Sequence, residues 1–309
     1  MDILSIQILL QATLRMATPL IYAGIGETFS EKAGIINIGL EGYMLIGAFT
    51  AYATVYYTNN LFLAIVNAIL VTAVFGGLFA YLTITIKANQ VIIGAALNLV
   101  GVGLSGYFYR ILFAQTRKAE AVRTFQQHPI PILKDIPLLG PSFFEQNILV
   151  YGTYLLVPLA AIILYKTAFG LALRGTGEHP HAIESLGIRV VTMRYGAVIF
   201  AAMLAGIGGA YLPIAHANQF VENMTAGRGY IALAMVAFGQ WNPVYVWLAG
   251  LLFGGTFALQ LHLQAGQTLI PYQFLQILPY GVTFLALIIS HGRSLQPKAL
   301  GIPFETEGN

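Results

Sequence analysis

Glu27 and Glu31 stand one helical turn apart, and Asn37 and Glu41 repeat that spacing a few residues on. Polar groups at this interval share a face of a helix. In apolar surroundings such groups contact a polar solute, couple transport to protons, or hydrogen-bond neighbouring helices together. Glu31 and Lys32 are adjacent, so they cannot face each other on a helix. Gly26, Gly34, Gly39 and Gly42 flank the cluster, which suits a broken or re-entrant backbone beside a cavity.

A second group is Phe220, Arg228 and Tyr230, with Arg228 set between Gly227 and Gly229 at the mouth of an apolar segment. A guanidinium with aromatic neighbours can hold a hydroxylated, aromatic solute by stacking and hydrogen bonding. The competing reading pairs Arg228 with Glu222 to pin a loop. Gln90 and Asn98 fall near one helix face, where they either line a path or bond between helices. Trp241 ends a span and reads as an interfacial belt residue. Ser105, between Gly103 and Gly106, resembles a rhomboid-like serine site with His262 as base, but reads better as a small-residue packing patch.

Other chemistries are excluded. There are no cysteines, hence no disulfide framework or thiolate metal site. His179 and His181 are two apart, which is poor ligand geometry on a helix, so no metal is expected. A net charge of +3 gives no reason to expect nucleic acid as a partner.

The elements that position these residues are apolar helices. The 309 residues are 57% hydrophobic and 9% charged, against roughly 25% charge in soluble domains. The fold class is all-α, a polytopic transmembrane bundle forming a single domain over residues 1–309. Nine apolar segments are read at 5–26, 34–57, 61–86, 90–113, 147–167, 194–217, 228–240, 243–261 and 272–291. Some are broken or re-entrant, so eight to ten crossings follow. Residues 114–146 hold Pro129, Pro131, Pro137 and Pro141 and read as an irregular external loop. Lys87, Lys166, Arg174, Arg189, Arg194, Arg293 and Lys298, with Lys32, fall on one side, which makes that side cytoplasmic together with the C-terminus. The opposing loop carries Arg117, Lys118, Arg123 and Lys134. Small-residue pairs such as Gly250 with Gly254, and Gly94 with Asn98, read as close helix packing.

A polar island at 168–193 interrupts this pattern. Pro180 is a good first helical residue, and Gly187 is a good stop. Ala182, Ile183 and Leu186 recur at helical spacing between them. A helix of about two turns is unstable alone in water and needs a supporting surface.

The island runs Gly177-Glu178-His179-Pro180-His181-Ala182, then Gly187-Ile188, Arg194-Tyr195 and Gly206-Ile207-Gly208-Gly209-Ala210. This order resembles the coupling-loop region of ABC importer permeases of the ribose and branched-chain amino acid group. The nearer likeness is to permeases of the nucleoside type. Glu31-Lys32-Ala33-Gly34, Asn37-Ile38-Gly39-Leu40-Glu41-Gly42, Gly227-Arg228-Gly229-Tyr230 and Leu278-Pro279-Tyr280 support it, so the likeness spans about Pro19 to Tyr280. The resemblance implies one of two permease subunits, the second a distinct chain, in a bacterial cytoplasmic membrane. Two ATP-binding subunits, or a fused pair, would carry ATP-Mg, and an external binding protein would deliver solute. This chain binds no cofactor in that reading, and it has no Gly-x-x-x-x-Gly-Lys-Ser/Thr P-loop of its own. Gly177, Glu178, Pro180, Ala182, Ile183, Leu186 and Gly187 are the implied contacts to the ATPase. His181 departs from the small or acidic residue often found there. Sugars or amino acids remain alternative solutes, and proton-coupled secondary transport through Glu27, Glu31 or Glu41 is the alternative mechanism.

Overall fold

The computed structural model describes residues 3–113, 121–137, 139–265, 272–290 and 296–305. Arg117, Lys118, Arg293, the last position of the 272–291 segment and the side chain of Leu278 lie outside these described residues. The chain there is a helical bundle. In order it contains α1 (Ile3–Lys32), α2 (Leu40–Thr58), α3 (Leu61–Ala80), α4 (Gln90–Phe113), α5 (Leu139–Phe144), α6 (Ile148–Lys166), α7 (Ala168–Glu178) and α8 (Pro180–Ser185). It continues with α9 (Val190–Tyr211), α10 (Arg228–Phe238), α11 (Pro243–Ala265) and α12 (Tyr272–Ser290). Helices α3 and α9 each end in a π-helical turn, Tyr81–Thr85 and Leu212–His216. Strands β1 (Gln127–Pro129) and β2 (Glu145–Asn147) form a small antiparallel ladder with Gln127 opposite Asn147.

Local signals start several helices. Asn60 accepts from Leu63 N–H, Asn147 from Leu149 and Val150, and Thr167 from Gly170, each supplying an acceptor for orphan donors of a first turn. Six helical stretches are long and apolar enough to cross a bilayer: Ser5–Lys32, Leu61–Thr85, Gln90–Phe113, Ile148–Lys166, Val190–His216 and Pro243–Gln264.

Their ends sort onto two faces. Val122 N–H donates to Asn218 O (2.8 Å) and Phe125 N–H to Ile214 O (2.9 Å), so the loop after α4 lies over the end of α9. On the other face Ala299 N–H donates to Gly177 O (2.8 Å), and Gly177 lies against the Lys32 carbonyl. Among the described residues these six stretches are the ones long and apolar enough to span, and α2, α10 and α12 pack among them. The nine segments of the sequence reading are all present, and the protein is multi-pass. The island and the 121–137 stretch sit on opposite faces of the bundle.

Two boundaries differ from expectation. α1 runs on to Lys32, and α2 begins only at Leu40, so the break between them is 33–39. The island holds α7 as well as the short α8. The glycines of α7 include contact points: a methyl at Gly170 would overlap the Ile163 and Leu164 backbone, and one at Gly177 the Lys32 carbonyl.

Helices α1 and α9 form the centre. α1 lies between α9 and α11, and α9 also packs on α2 and α3. Contact is backbone to backbone in places. A methyl at Gly47 would overlap Gly206, and one at Gly209 would overlap Met44. Gly254 packs the same way, since an added Cβ would lie 2.6 Å from Ala17 Cβ. Lipid offers no hydrophobic drive to pair helices, so close small-residue packing supplies the attraction.

Candidate functional site

The polar residues gather at the two places where the backbone breaks inside the bundle. The first is 33–39. Gly34 turns the chain with φ +94°. The freed donors then find side chains. Ile36 N–H donates to Gln90 Oε1 (2.8 Å), Asn37 N–H to Glu27 Oε1 (2.8 Å), Gly39 N–H to Asn37 Oδ1 (3.1 Å) and Gly42 N–H to Asn98 Oδ1 (2.8 Å). Non-helical backbone at membrane depth needs such partners, because no water is present to replace them. Asn98 Nδ2 donates on to Ile38 O (2.9 Å) and to the Tyr230 hydroxyl (2.9 Å), which ties α4 to both breaks.

The second break is 217–227, which enters the bundle ahead of α10. Gly227 takes φ +80°, and α10 starts at the next residue. Its first donors point at Glu41. Glu41 Oε1 accepts from Thr225 Oγ1 (2.5 Å) and Gly227 N–H (2.7 Å), and Oε2 accepts from Gly229 N–H (2.7 Å). One carboxyl on α2 therefore caps a half-helix that its own sequence does not cap. A negative group there also meets the positive end of the helix dipole. Glu31 does similar work at the far end of α10, where it accepts the Trp241 indole N–H. Trp241 is thus buried in the bundle and is not a belt residue.

Among the expected pathway residues, Glu27, Asn37, Glu41, Gln90 and Asn98 each make at least one of these bonds, while Gln90 Nε2 is buried without a partner. Glu27 and Glu31 do share a face of α1, both buried, and Glu27 Oε2 has no hydrogen-bond partner. Phe220 is fully buried among Tyr52, Tyr109 and Phe49, with no face open to a solute. The Arg228–Glu222 pair does not form. Glu222 instead takes a two-point contact from Arg110 of α4 (2.9 and 2.5 Å), which holds its carboxyl below the ordinary carboxylate range. Arg228 turns the other way. Its Nη1 donates to Met224 O (3.1 Å) and Thr225 O (3.0 Å), and its guanidinium lies 5.1 Å from the Phe257 ring centroid.

Arg228 borders a cavity of about 320 Å³ shared with Met16, Phe257, Gln260, Leu261 and Tyr280. Arg228 Nε has no hydrogen-bond partner, whereas Tyr280 donates to Ala226 O (2.8 Å). Tyr230 is 49% exposed on the neighbouring turn. Phe257 and Gln260 were not legible in the sequence, since they come from α11 and carry no local motif. A smaller cavity of about 180 Å³ lies between α2, α3 and α4 and includes Phe49, Phe75, Ser105 and Phe108. Ser105 donates within its own helix to Val102 O (3.3 Å), which fits packing and not nucleophilic chemistry. No group of three potential metal ligands occurs among the described residues.

At the α8 face, Pro180 starts α8 and Gly187 ends it with φ +80°. α8 has no buried residue. Ala182, Ile183 and Leu186 do not form one face as expected. Ile183 turns inward to Gly175, while Ala182 is exposed and Leu186 is 74% exposed. Glu178 is half-buried at the end of α7.

A multi-pass helical bundle with two side-chain-laced breaks defines the class as a polytopic membrane protein. Residues 9–289 match the family described as the branched-chain amino acid transport system permease component, and the chain belongs to that family. It is 36% identical to the nucleoside ABC transporter permease protein NupC of Lactococcus lactis subsp. cremoris (strain MG1363), covering 97% of each chain. It is 37% identical to the guanosine ABC transporter permease protein NupQ of Bacillus subtilis (strain 168), covering 98% of each. It is 38% identical to the putative glucose ABC transporter permease protein TsgC13 of Haloferax volcanii, over 83% of this chain and 78% of that one. No solved structure matches.

Proposed function

We propose that this chain is a permease subunit of an ABC importer that carries nucleosides across the cytoplasmic membrane. The observation that carries the reading is near-full-length identity to NupC and NupQ, at 36% and 37%. In this reading α8 docks on an ATP-binding subunit, with Ala182, Leu186 and Gly187 outermost and Pro180 fixing the helix start. Ile183 and Gly177 support α8 from behind, and Glu178 sits at the turn between α7 and α8. ATP-Mg is bound and hydrolysed by two partner subunits or a fused pair. A second, distinct permease chain completes the pathway, and an external binding protein supplies solute. The α8 face and the C-terminal tail are then cytoplasmic.

For solute contact we favour the cavity beside Arg228. Its volume of about 320 Å³ lies at the small end of ligand pockets, which run from about 300 Å³. Arg228 lies over the Phe257 ring at the cavity wall, and Gln260 and Tyr280 add an amide and a phenol to the lining. That set suits a planar, hydrogen-bonding base better than an aliphatic side chain. A sugar is the second reading, favoured by the 38% identity to TsgC13. Proton coupling through Glu41 is disfavoured, because its carboxyl oxygens are already committed to donors of Thr225, Gly227 and Gly229.

The test is uptake into proteoliposomes holding the full complex. Labelled guanosine should enter only with ATP and with all partner chains, and unlabelled adenosine should compete while glucose and leucine do not. Uptake by this chain alone, or uptake driven by a pH gradient without ATP, refutes the proposal. Competition by glucose but not by nucleosides selects the sugar reading.

A further inference from the structure

Residues 297–305 run across the α8 face and touch five separate parts of the fold. Ala299 N–H donates to Gly177 O at the end of α7 (2.8 Å). Gly301 N–H donates to Gly34 O in the first break (3.0 Å). Arg194 of α9, only 1% exposed, divides its donors: Nε to Ala33 O (3.1 Å) and Nη1 to Ile302 O (3.1 Å). Its guanidinium carbon lies 5.9 Å from the Phe304 ring centroid, and the Phe304 ring lies 5.1 Å from the ring of His181 on α8. Lys87, after α3, is 3.5 Å from Glu305.

These contacts form a continuous path. α8 packs on α7 and α9 and buries nothing of its own. The route from α8 to the first break runs from His181 to Phe304, then to Arg194 and Gly301, and then to Ala33 and Gly34. The break in turn carries Asn37, whose N–H is held by Glu27. Arg194 makes the path stiff. It is buried, and its carbonyl acceptors lie on both the tail and the break. Separating the two would orphan a buried cationic donor, which is expensive.

We propose that the 297–305 tail is a transmission strap that makes α8 and the 33–39 break move as one body, with Arg194 as its positioning residue. This rests on the reading of α8 as the ATPase-docking helix. The strap does not touch solute.

The chain has no cysteines, so introduced thiols are unique. The test uses the full complex in proteoliposomes, with ATP hydrolysis and uptake measured on the same vesicles. For Phe304→Ala, and for a chain ended after Leu300, uptake should fall about tenfold or more while hydrolysis stays within about twofold, the size of a typical coupling between sites. A His181→Cys/Phe304→Cys pair should lose uptake while reduced and regain it once cross-linked, because the bond restores the link by which strap and α8 travel together. Wild-type uptake in the shortened chain overturns the proposal. So does a parallel loss of uptake and hydrolysis in an assembled complex, or a cross-link that stops uptake until it is reduced. Should the shortened chain fail to assemble, the cross-linked pair decides. The docking reading fails separately, when substitutions at Ala182 and Leu186 leave ATPase association and uptake unchanged.

Discussion

Replacing Glu41 tests the claim that one carboxyl holds the second break. In Glu41→Ala, the N–H groups of Gly227 and Gly229 and the hydroxyl of Thr225 lose their acceptor. Each orphaned buried donor costs about 1–3 kcal/mol. Thr225 can turn to another acceptor and water can enter the space, so the total falls near the ~3–5 kcal/mol typical of removing one partner from a buried charged pair. For a chain this long, at ~2 °C per kcal/mol, the melting point should drop by about 6–10 °C. Glu41→Gln keeps one carbonyl oxygen but presents an NH₂ group to a donor, so it should fall roughly midway. Intrinsic fluorescence can follow the transition, because the chain has just two tryptophans and Trp241 directly follows α10. Scans need one fixed rate, since unfolding of large proteins is often irreversible. A Glu41→Ala melting point within about 1 °C of wild type refutes the cap. A Glu41→Gln protein as stable as wild type removes the argument from charge and helix dipole.

Gly209→Ala should destabilise by about 1–3 kcal/mol or fail to accumulate, because its methyl strikes the Met44 backbone. Gly77→Ala, with nothing within 4 Å, should be neutral or stabilise by about 0.4–1 kcal/mol, and thermal melts of the two proteins side by side check the contrast. Gly187→Ala forces a left-handed conformation on an L-residue, at about 1–2 kcal/mol. It should weaken ATPase association in a pull-down while leaving the membrane bundle's melting point unchanged. Arg110 holds Glu222 below the ordinary carboxylate range, so this contact stabilises at neutral pH and is lost as pH falls through the lowered value. Both groups are exposed, so Glu222→Gln should shift the melting point by no more than about 1–2 °C at pH 7, and the small difference from wild type should vanish in acid.

Most of the fold was legible because its signal is length and hydropathy. Residues 90–113 and 243–261 stand out as apolar runs whatever surrounds them, and the described α4 and α11 begin at Gln90 and Pro243. Pro180 and Gly187 announced the limits of α8 for local reasons that tertiary contacts do not disturb. What the sequence hid depends on partners far along the chain. The end of α1 looked too polar to be helical, yet Glu27 and Glu31 find Asn37 N–H and the Trp241 indole, and the helix persists to Lys32. Only α8 was read in the island, and α7 went unseen because its support is tertiary, with Gly177 admitting the Lys32 backbone. The Arg228–Glu222 pair was inferred from nearness in sequence, whereas the loop's positive-φ residues Asn223 and Ala226 aim the two side chains apart. The glycines around Glu27–Gly42 pointed to the first break, whereas the second, 217–227, was not read from the sequence. The spacing of polar residues did not distinguish residues that close the breaks from residues that face a cavity, because both need the same chemical groups.

The cap on α10 also sets a clock for synthesis. Glu41 and its last donor, Gly229, are 188 residues apart. At about 5–20 residues per second, α2 is made about 10–40 s before α10 exists. Through that interval Glu41 must stay wet at the insertion site or carry a proton, since an unpaired carboxylate in hydrocarbon is costly. The nascent chain therefore passes through a stage in which α2 cannot settle at its final depth. Quality-control proteases or insertion chaperones that sense unpaired intramembrane charge have their opportunity there, and it closes when Gly227 and Gly229 arrive.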